Sequence, residues 1–471
     1  MKDIFDLVVI GAGPAGLAAG TCAARSGLSV LLLDEQPTPG GQIWRSVEGV
    51  ADSSTGDILG PEYQSGAQRV AEFRASGAIY EAGVRVWQVE PGWTIFASRG
   101  GEARCLRAKR VLLATGAQER PVPFPGWTTP GVMTVGAAQI VLKSSREIPQ
   151  DPVWVAGNGP LPLLYIVQLL RAGGTVAGWL VTTPPGAVKR AVPHVFPALN
   201  GWRDLKKGVG WMRELRRSGV LIEKAVSNVR AQPGVDQRLE YIEYTDAGGH
   251  TSRVPARLLL VHEGIVPSIH ITQALGCKHE WRESQQCMAP QVDEWGRTSV
   301  GGIYVAGDGS GIGGAAAAST KGELAAIGIA MDAEFISGER ANSLAGPLRE
   351  RLSKELATRG LLDSIYRPRE EIFSPGDDTI VCRCEELTAA QVRAAARSGS
   401  PLPDRIKSLT RAGMGPCQGR QCGYTVAHII AQVHNKPVAE IGFYRIRPPL
   451  KPLTLGELAS LENNDCSNNT V

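Results

Sequence analysis

The sequence predicts an α/β protein with two dinucleotide-binding domains and a small α-helical domain that carries cysteines. Three observations predict this class: an apolar strand runs into a glycine-rich turn near the N terminus, a similar strand and turn recur from residue 153, and four cysteines cluster near the C terminus. The chain has 471 residues, 43% of them hydrophobic and 20% charged, which is enough for two or three domains with separate cores. Its composition is that of a soluble globular protein.

The N-terminal turn predicts the first dinucleotide-binding unit. An apolar strand leads into a G-x-G-x-x-G turn, a helix follows, and the next strand ends in Asp34 and Glu35. Glycines permit the tight turn and let the backbone approach a pyrophosphate, whose charge the helix start attracts. Asp34 is placed to accept a hydrogen bond from an adenosine ribose, and Glu35 is the alternative. The candidate cofactor residues of this unit are Gly11, Gly13, Pro14, Ala15, Gly16, Asp34 and Glu35.

Three later segments favour FAD as the nucleotide. Residues 40–45 hold two glycines, an amide and an aromatic, which suits a loop folded over a flavin, although a plain surface turn has a similar composition. Residues 111–117 form a buried strand that ends in a turn of small residues. Residues 302–314 deliver Asp308 to a glycine-rich helix start, where it can bond the ribityl chain. These segments add Gly41, Gln42, Ile43, Thr115, Gly116, Gly307, Asp308 and Gly314 to the candidate FAD residues.

A second strand, turn and helix occupy residues 153–171 and resemble another dinucleotide-binding unit. Pro162 stands where the third glycine would be, and the next strand ends in Thr182 and Thr183, without an acid for a ribose or a base for a 2′-phosphate. The sequence favours a scaffold retained without its nucleotide, and a working NAD(P)H site is the alternative. The lone His262 fits a structural role better than a catalytic one.

Four cysteines near the C terminus predict a metal site. Cys382 and Cys384 form a C-x-C pair, and after 32 intervening residues Cys417 and Cys422 form a C-x₄-C pair. A [2Fe-2S] cluster needs four thiolates, two for each iron. Zinc is the alternative, although C-x-C suits a tetrahedral ion poorly, and unliganded thiols are the third interpretation. The spacing favours the cluster.

The region around these cysteines is basic. Residues 375–451 hold 11 Lys and Arg against 6 Asp and Glu, a net charge of +5, whereas the whole chain carries +4. Arg383, Arg411 and Arg420 beside the ligands would offset the negative charge of a cluster, and an ordinary solvated basic face is the alternative. Aromatic residues are not interleaved with these charges, so the segment does not indicate nucleic-acid binding.

The other five cysteines are scattered singly, and no C-x-x-C pair occurs. This pattern argues for a reducing compartment and against a dithiol reductase of the thioredoxin-reductase type. The first strand begins by residue 5 or 6, which leaves no room for a signal peptide, and no run of 18 apolar residues offers a transmembrane segment. We therefore expect a cytoplasmic protein, for which peripheral membrane association stays open.

Composition shifts suggest where the domains meet. A Pro- and Gly-rich crossover follows residue 120, and Pro375 opens another turn-rich boundary. The predicted divisions are 1–120 for the first part of the FAD domain, 121–290 for an inserted, degenerate NAD(P)-binding-like domain, 291–340 for the second part of the FAD domain, 341–378 for a helical linker, 379–440 for the [2Fe-2S] domain, and 441–471 for an extended tail.

With these motifs assembled, the chain resembles the α subunits of the multimeric, dye-linked amino-acid dehydrogenases. That family includes octopine and nopaline oxidases, D-hydroxyproline dehydrogenase and hydrogen cyanide synthase. The most specific block, residues 413–420, is similar to the bacterioferritin-associated-ferredoxin type of [2Fe-2S] domain. The motifs that carry the resemblance are residues 11–16, 33–36, 40–43, 125–127, 130–133, 261–264 and 413–420.

The resemblance implies partners, cofactors and a substrate class. It implies a pair of Rossmann domains as in glutathione and thioredoxin reductases, with FAD or another adenine nucleotide at the N-terminal site. In the family, a β flavoprotein subunit resembling D-amino-acid oxidase removes hydride from the carbon bonded to the substrate nitrogen. The α subunit passes electrons on, often with a small ferredoxin-like γ subunit. Substrates of the family include D-hydroxyproline, proline, octopine and nopaline.

Three functions are compatible with these patterns. The favoured one is the electron-transfer subunit of a dehydrogenase that acts on the CH–NH bond of an amino acid or opine, because a flavin and a cluster in one chain convert two-electron into one-electron steps. The alternative is a self-sufficient NAD(P)H-dependent flavin and iron–sulfur reductase. The third is a non-catalytic scaffold whose cluster is structural or senses redox state.

Overall fold

The computed structural model describes residues 4–399 and 401–463. Its first sheet is wholly parallel, and its central strand is the N-terminal one. Every residue of that strand is buried, which explains its unbroken apolar run, since strands covered on both faces do not alternate. In spatial order the strands are Ile303–Val305, Val111–Leu113, Leu7–Ile10, Val30–Asp34 and Ile79–Ala82.

Two helices, Pro14–Arg25 and Ala315–Asp332, start at the same edge of this sheet, because each follows a strand that runs in the same direction. They pack closely, since a Cβ at Gly322 would lie 2.2 Å from the carbonyl oxygen of Ala15. Both glycine-rich turns therefore meet at one edge. The remaining elements of this region are the helices Val47–Val50, Ser54–Leu59 and Pro61–Arg74 and the antiparallel strands Arg85–Glu90, Thr94–Arg99 and Glu102–Arg107.

The second sheet is also parallel and has five strands. In spatial order they are Leu221–Lys224, Val176–Val181, Val153–Asn158, Leu258–Glu263 and Val132–Thr134. An antiparallel sheet of Ser227–Pro233, Leu239–Thr245 and Thr251–Pro255 joins it. The helices of this region are Val135–Ser144, Pro160–Arg171, Ala187–Ala191, Val195–Ala198 and Trp202–Arg217, with 3₁₀ turns at Val192–His194 and Leu199–Gly201.

A pair of short strands carries the chain between the two sheets. Ala117–Glu119 leads out of the first sheet, and Ile265–Pro267 returns antiparallel beside it, with Val266 opposite Gln118. The chain then forms the helix His270–Ala274 and the hairpin His279–Arg282 with Cys287–Pro290 before it re-enters the first sheet. The two predicted dinucleotide-binding units are thus present as two separate parallel sheets.

The cysteine region forms a small helical unit with its own core. A two-strand hairpin, Ile380–Cys382 with Leu387–Thr388, precedes the first helix. The sequence predicts that Thr388 caps this helix, and the structure confirms it with a capping box between Thr388 and Gln391. The helices are Ala389–Arg397, Pro403–Thr410, Gly423–His434 and Val438–Ile441, and they enclose Val392, Ile406, Val426 and Ile430.

The segment before this unit is helical, and the tail after it is only partly irregular. The connecting helices are Gly338–Leu356 and Arg359–Ile365, followed by a 3₁₀ turn at Glu370–Phe373. The prediction of a wholly extended tail is wrong for Leu455–Ala459, which is helical because Thr454 and Glu457 form a second capping box. The rest of the predicted tail, residues 464–471, lies outside the described residues.

Two features bear on the cellular setting. In the part of the chain that the structure describes, no helix combines the length and the apolar character needed to cross a membrane. Cys105 is disulfide-bonded, which departs from the reducing setting that the scattered cysteines indicate.

Candidate functional site

The glycine-rich turn of the first unit leaves space beside its backbone at one point. A Cβ added at Gly13 would meet only the Cα of Gly41, at 3.9 Å. Gly11 and Gly16 have no space for a side chain. A Cβ at Gly11 would lie 2.4 Å from Ala114 O, and a Cβ at Gly16 would lie 1.8 Å from Gly11 O. Gly11 and Gly16 therefore hold the turn against the sheet, while Gly13 borders the open space that a pyrophosphate would need.

The helix start next to this space supplies unpaired backbone donors. Pro14 and Ala15 are its first two residues, and Pro14 costs nothing there because the N–H it lacks would have no partner within the helix. The helix runs for 12 residues without an acidic side chain in its first turn. Its N-terminal dipole therefore remains available to a phosphate.

Both acids at the end of the second strand already have partners within the chain. Asp34 Oδ2 accepts a hydrogen bond from Ala12 N at 2.5 Å, and its Oδ1 accepts one from Gln36 N at 2.7 Å. Burial raises the pKa of Asp34, and these two donors oppose the rise. Glu35 is exposed and pairs with Lys451 Nζ at 2.9 Å. A ribose would have to share Asp34, whose oxygens keep further acceptor capacity, or displace Lys451 from Glu35.

The loop at residues 40–45 packs directly on the first turn. Gly40 N donates to Ala12 O at 2.8 Å, and a Cβ at Gly41 would lie 2.8 Å from Gly13 Cα. Glycine is needed at position 41 because φ is +61° there and the turn is so close. Ile43 points outward, with 44% of its surface exposed. The loop thus forms a wall of the space beside Gly13.

Two buried cations fix this loop from behind. Arg45 Nη2 donates to Gln42 Oε1 at 3.0 Å, and Lys143 Nζ donates to Gln42 O at 3.1 Å and to Gln139 Oε1 at 3.0 Å. Lys143 belongs to the helix Val135–Ser144, which packs with the second sheet. Burial, and secondarily the nearby guanidinium of Arg45, lower the pKa of Lys143 to about 7. A side chain of the second unit therefore holds a loop of the first.

Thr115 and Gly116 lie where the chain leaves the first sheet. Thr115 Oγ1 donates to Ser268 O at 3.3 Å, and Ser268 N donates to Gly116 O at 3.0 Å. Gly116 has φ of +64°, and no atom lies within 4 Å of the position of an added Cβ. Both residues border the same open edge as Gly13.

Asp308 organises the other glycine-rich turn. Its Oδ1 accepts hydrogen bonds from Gly313 N at 2.8 Å and from Gly314 N at 3.0 Å. Gly314 precedes the helix Ala315–Asp332, and its surroundings are open for 4 Å from an added Cβ. Gly307 is close-packed, because a Cβ there would lie 2.8 Å from Ala15 Cβ. The carboxylate of Asp308 therefore shapes the turn, and Gly314 borders the space.

A partly buried lysine faces this second turn. Lys321 Nζ donates to Gly311 O at 2.9 Å and to Ser310 Oγ at 3.3 Å. Burial lowers the pKa of Lys321 to about 8, although the carboxylate of Asp308 opposes the fall. A cation at this place can stabilise negative charge on a group bound beside the turn.

The matching edge of the second sheet is filled by the protein itself. Glu263 is 1% exposed, and both of its carboxylate oxygens have partners. Its Oε1 accepts a hydrogen bond from Thr182 Oγ1 at 2.8 Å and forms an ion pair with Arg369 Nε at 2.8 Å. Its Oε2 accepts a hydrogen bond from Asn158 Nδ2 at 3.1 Å. Arg369 comes from the segment that precedes the cysteine region, and the following Phe373 packs into the core of the second unit. A chain segment thus lies over the strand ends where a nucleotide would bind.

His262 has a structural role in this arrangement. Its Nδ1 lies 2.7 Å from Glu119 Oε1, and Glu119 Oε2 accepts a hydrogen bond from Gly136 N at 2.9 Å. Both side chains are largely buried. The pair joins the connecting strand to the second sheet, as the structural interpretation of His262 predicts.

The four cysteines lie together in the small helical unit, as two hydrogen-bonded pairs. Cys382 bonds with Cys422, and Cys384 bonds with Cys417, so each pair takes one residue from each loop. Cys382 and Cys422 are buried, whereas Cys384 is exposed. Among residues 4–399 and 401–463, no three His, Cys, Asp or Glu side chains form a group that could hold a metal ion, so the pairs do not make a closed ligand set.

The thiol pairs share protons unequally. The hydrogen bond with Cys422 lowers the pKa of Cys382 to about 6, and the same bond, together with burial, raises the pKa of Cys422 well above its ordinary value. Burial raises the pKa of Cys384. The site therefore stabilises a thiolate at Cys382, which is the form that binds iron.

Three glycines give the thiols room. A Cβ at Gly415 would lie 2.3 Å from Cys384 Cβ, and a Cβ at Gly413 or at Gly419 would lie 2.7 Å from the ring of Tyr444. The Tyr444 hydroxyl lies 3.7 Å from Cys422 Sγ. The donor set of four thiols, with close backbone approach on one side, fits the needs of a two-iron cluster.

The cysteine loop touches the first unit beside Gly116. Gln118 Nε2 donates to Arg420 O at 3.0 Å, and His270 Nε2 lies 3.0 Å from Gln418 O. Arg420 is largely buried and donates to the carbonyls of Cys417 and Leu450 at 3.1 and 3.2 Å. The two candidate sites are therefore neighbours in the fold.

Four contributors to these sites are not among the residues predicted from the sequence. Each of them makes its contact with residues far away in the sequence or with a buried backbone carbonyl, for which the local sequence gives little signal. They are Lys143, Lys321, Arg369 and Tyr444. Lys321 could have been found, because it stands alone among small residues one to two turns into the helix that follows Gly314.

Comparison with known families agrees with this architecture. Residues 5–326 match the pyridine nucleotide-disulphide oxidoreductase family, and residues 377–461 match the sarcosine oxidase A3 domain. L-proline dehydrogenase from P. horikoshii has a similar fold, with a TM-score of 0.72 at 22% identity over 97% of this chain and 79% of that one. The predicted paired dinucleotide-binding fold is confirmed.

Two relatives extend over nearly the whole chain. An opine oxidase subunit from Rhizobium meliloti (strain 1021) is 40% identical over 98% of this chain and 99% of its own length. The hydrogen cyanide synthase subunit HcnB of Pseudomonas protegens is 30% identical over 95% of this chain and 96% of its own. These matches confirm the resemblance predicted from the sequence. The chain therefore belongs to the pyridine nucleotide-disulphide oxidoreductase family and, with the opine oxidase subunit and HcnB, to its group of subunits of multi-subunit, flavin-dependent oxidoreductases.

Proposed function

We propose that this chain is the electron-transfer, or α, subunit of a dehydrogenase that acts on the CH–NH bond of an amino acid or opine. The observation that carries the proposal is the contact between the cysteine loop and the segments that connect the two sheets beside Gly116, made at Gln118 and His270. A flavin and an iron–sulfur cluster, when bound, would exchange one pair of electrons for two single electrons. This chain would supply both sites and the short path between them.

We assign FAD to the first unit. Gly13, Gly41 and Gly116 border the open edge, the two helix starts offer free N–H groups, and Asp308 holds the second turn in shape. Lys321 would hold positive charge near the flavin, and Asp34 or Glu35 would contact the ribose. The whole candidate set named from the sequence remains the proposed FAD site.

We assign a [2Fe-2S] cluster to Cys382, Cys384, Cys417 and Cys422. The support is a donor set of four thiols in two pairs, each drawn from both loops, with glycines where the backbone must come close. Arg420, partly buried beside the loop, would offset negative charge. Binding would require the two pairs to draw together, since they do not form a closed set by themselves.

We infer that the electrons come from a partner rather than from NAD(P)H. The buried Glu263–Arg369 pair and Asn158 fill the nucleotide edge of the second sheet. The proposed partners are a β flavoprotein subunit resembling D-amino-acid oxidase, which takes hydride from the substrate, and a small ferredoxin-like γ subunit. Candidate substrates are opines such as octopine or nopaline and amino acids such as proline or D-hydroxyproline.

We place the assembly in the cytoplasm. Cys22, Cys277 and Cys287 are free thiols, as expected for a reducing compartment, and the disulfide at Cys105 is the feature that departs from that expectation.

An anaerobic titration tests the proposal. The purified chain is mixed first with NADH or NADPH and then with dithionite, while absorbance follows the flavin and electron paramagnetic resonance follows the cluster. We expect that dithionite alone bleaches both centres. Bleaching by a pyridine nucleotide would support the stand-alone reductase instead, and a Cys384→Ser variant that keeps the full cluster spectrum would refute the ligand set.

A further inference from the structure

The helical stretch 187–206 has an inverted distribution of side chains. Its small residues Ala187, Ala191 and Ala198 are buried, while its large apolar residues point outward. Val188 is 72% exposed and Phe196 82%. In a folded core the large side chains would face inward, because burial of apolar area drives folding. The outward set is Val188, Val192, Val195, Phe196, Leu199 and Trp202, which we call the apolar stripe.

The stripe is continuous rather than scattered. The backbone is helical through Ala187–Ala191, Val192–His194, Val195–Ala198 and Leu199–Gly201 into the long helix that starts at Trp202. The six apolar residues follow one another at spacings of 4, 3, 1, 3 and 3 residues, and residues three or four apart are neighbours on one side of a helical stretch. Single exposed apolar side chains need no explanation, but a continuous apolar face marks an interaction surface.

Basic side chains border the stripe. Lys189, Arg190, Arg203 and Lys206 are exposed, and within the described residues none has a carboxylate oxygen within 4 Å. Arg203 and Lys206 lie 5.9 Å from the ring of Trp202. Residues 187–217 contain 8 Lys and Arg against 2 Asp and Glu, a net charge of +6, although the whole chain carries only +4. The rest of the chain therefore carries a net charge of −2, and this stretch is a basic segment, as is the cysteine region at residues 375–451.

We propose that this stripe docks on an anionic lipid bilayer. Lysine is depleted at protein–protein interfaces relative to the rest of a protein surface, whereas two lysines and two arginines border this stripe, and none of them has an acidic partner among the described residues. Membrane-surface helices have the observed combination: Trp, Phe and aliphatic residues that enter the headgroup region, and Lys and Arg that meet anionic headgroups. Docking here needs no cofactor, so the inference stands whether or not the proposed electron-transfer role is correct.

A vesicle flotation experiment tests the proposal on the assembled oxidase, purified with the subunits that accompany this chain. The complex is floated with vesicles of phosphatidylethanolamine and phosphatidylglycerol, and separately with vesicles of phosphatidylcholine alone. We expect flotation with the anionic vesicles only, and a marked decrease at high salt because surface charges are then screened. Phe196→Ser with Trp202→Ser, and Arg203→Glu with Lys206→Glu, should each lower the bound fraction at least about tenfold.

Two matched controls separate this surface from general effects. Val235→Ser removes an equally exposed apolar residue at a hairpin turn, and Arg340→Glu with Lys436→Glu reverses two exposed charges elsewhere; both should float like the wild type. Circular dichroism and thermal unfolding establish that every variant is folded. A wild-type complex that stays unbound with all vesicles, or stripe variants that float normally, would overturn the proposal. Loss of a co-purifying subunit from the stripe variants would also overturn it and would identify a protein interface.

Discussion

The two dinucleotide-binding units share a topology but differ at the edge where a nucleotide would bind. In the first unit, Gly13 borders open space, and no acidic side chain occupies the first turn of the helix that follows it. In the second, Glu263, Asn158 and Arg369 fill the equivalent edge with buried hydrogen bonds and an ion pair. The first unit has an open edge at which a ligand can bind, whereas a segment of the chain itself occupies the corresponding edge of the second unit.

This difference supports the proposal that the second Rossmann sheet serves packing rather than nucleotide binding. Arg369 and Phe373 anchor the segment that leads to the cysteine region, so the second unit helps to position that region. Lys143, which reaches from the second unit to the loop at Gln42, adds a further support for the first site. The second unit thereby serves the first as a scaffold.

Glu263→Gln should have the strongest effect of the substitutions considered, because Glu263 is the buried carboxylate at the centre of the filled edge. The substitution leaves the buried guanidinium of Arg369 without its carboxylate, and loss of one partner of a buried pair costs about 3–5 kcal/mol. Urea unfolding measures the change. The control is Glu371→Gln, which removes the other, half-exposed partner of Arg369 and should cost less than about 1 kcal/mol.

Equal effects of these two substitutions would contradict the view that the buried pair fills the second edge. The Glu263→Gln protein should also keep its flavin, because the first site does not contact Glu263. If it gained affinity for NADH instead, the buried pair would be what excludes the nucleotide.

Gly13→Val tests the open edge of the first unit. Its φ of −75° admits any residue, and the added side chain points into space, so we expect Tm to change by no more than a few degrees. Bound flavin should weaken about 100-fold, near 2.7 kcal/mol, because the side chain would occupy the pyrophosphate position. Flavin content after purification and a binding titration provide the measurement.

Gly346→Val serves as the control, since it lies in a helix with no atom within 4 Å of an added Cβ. It should keep both stability and flavin. A Gly13→Val protein with full flavin affinity would move the pyrophosphate away from this turn.

Much of this contrast is visible in the sequence, for a physical reason. The first turn, the absence of a third glycine at Pro162 and the capped helix at Thr388 are local features, in which neighbouring residues determine the backbone. The four cysteines are recognisable because metal chemistry restricts which residue types can serve. Local pattern thus predicts where the two units and the cysteine region lie.

The remainder depends on contacts that no local pattern encodes. Arg369 forms an ion pair with Glu263, which lies more than a hundred residues earlier in the chain. Tyr444, which follows the helix Gly423–His434 in the sequence, packs on Gly413 and Gly419 of the cysteine loop. The tail helix at Leu455–Ala459 was obscured by the prolines that precede it, although its capping box is a readable signal.

Lys143→Met removes the hydrogen bond by which the second unit holds the loop at Gln42 of the first unit. Because the pKa of Lys143 falls from 10.5 to about 7 on folding, the unfolded chain binds its proton more strongly between these values. The wild type should therefore gain stability as pH rises from 7 towards 10, with a slope of about 1 kcal/mol per pH unit from this group. Chemical unfolding at several pH values should show that slope reduced in Lys143→Met, and an unchanged slope would place the lysine in water.

The smallest effect is expected from Lys451→Ala, which releases Glu35 at the first edge. The pair is solvent-exposed on both sides, so its loss should cost less than about 0.5 kcal/mol. Flavin affinity decides between the two acids. If Asp34 holds the ribose, freeing Glu35 leaves the dissociation constant unchanged, whereas a ribose held by Glu35 should bind more tightly once Lys451 no longer competes. Asp34→Asn is the complementary variant. Because Asp34 also accepts a hydrogen bond from Ala12 N, this substitution should destabilise the glycine-rich turn and weaken flavin binding at the same time.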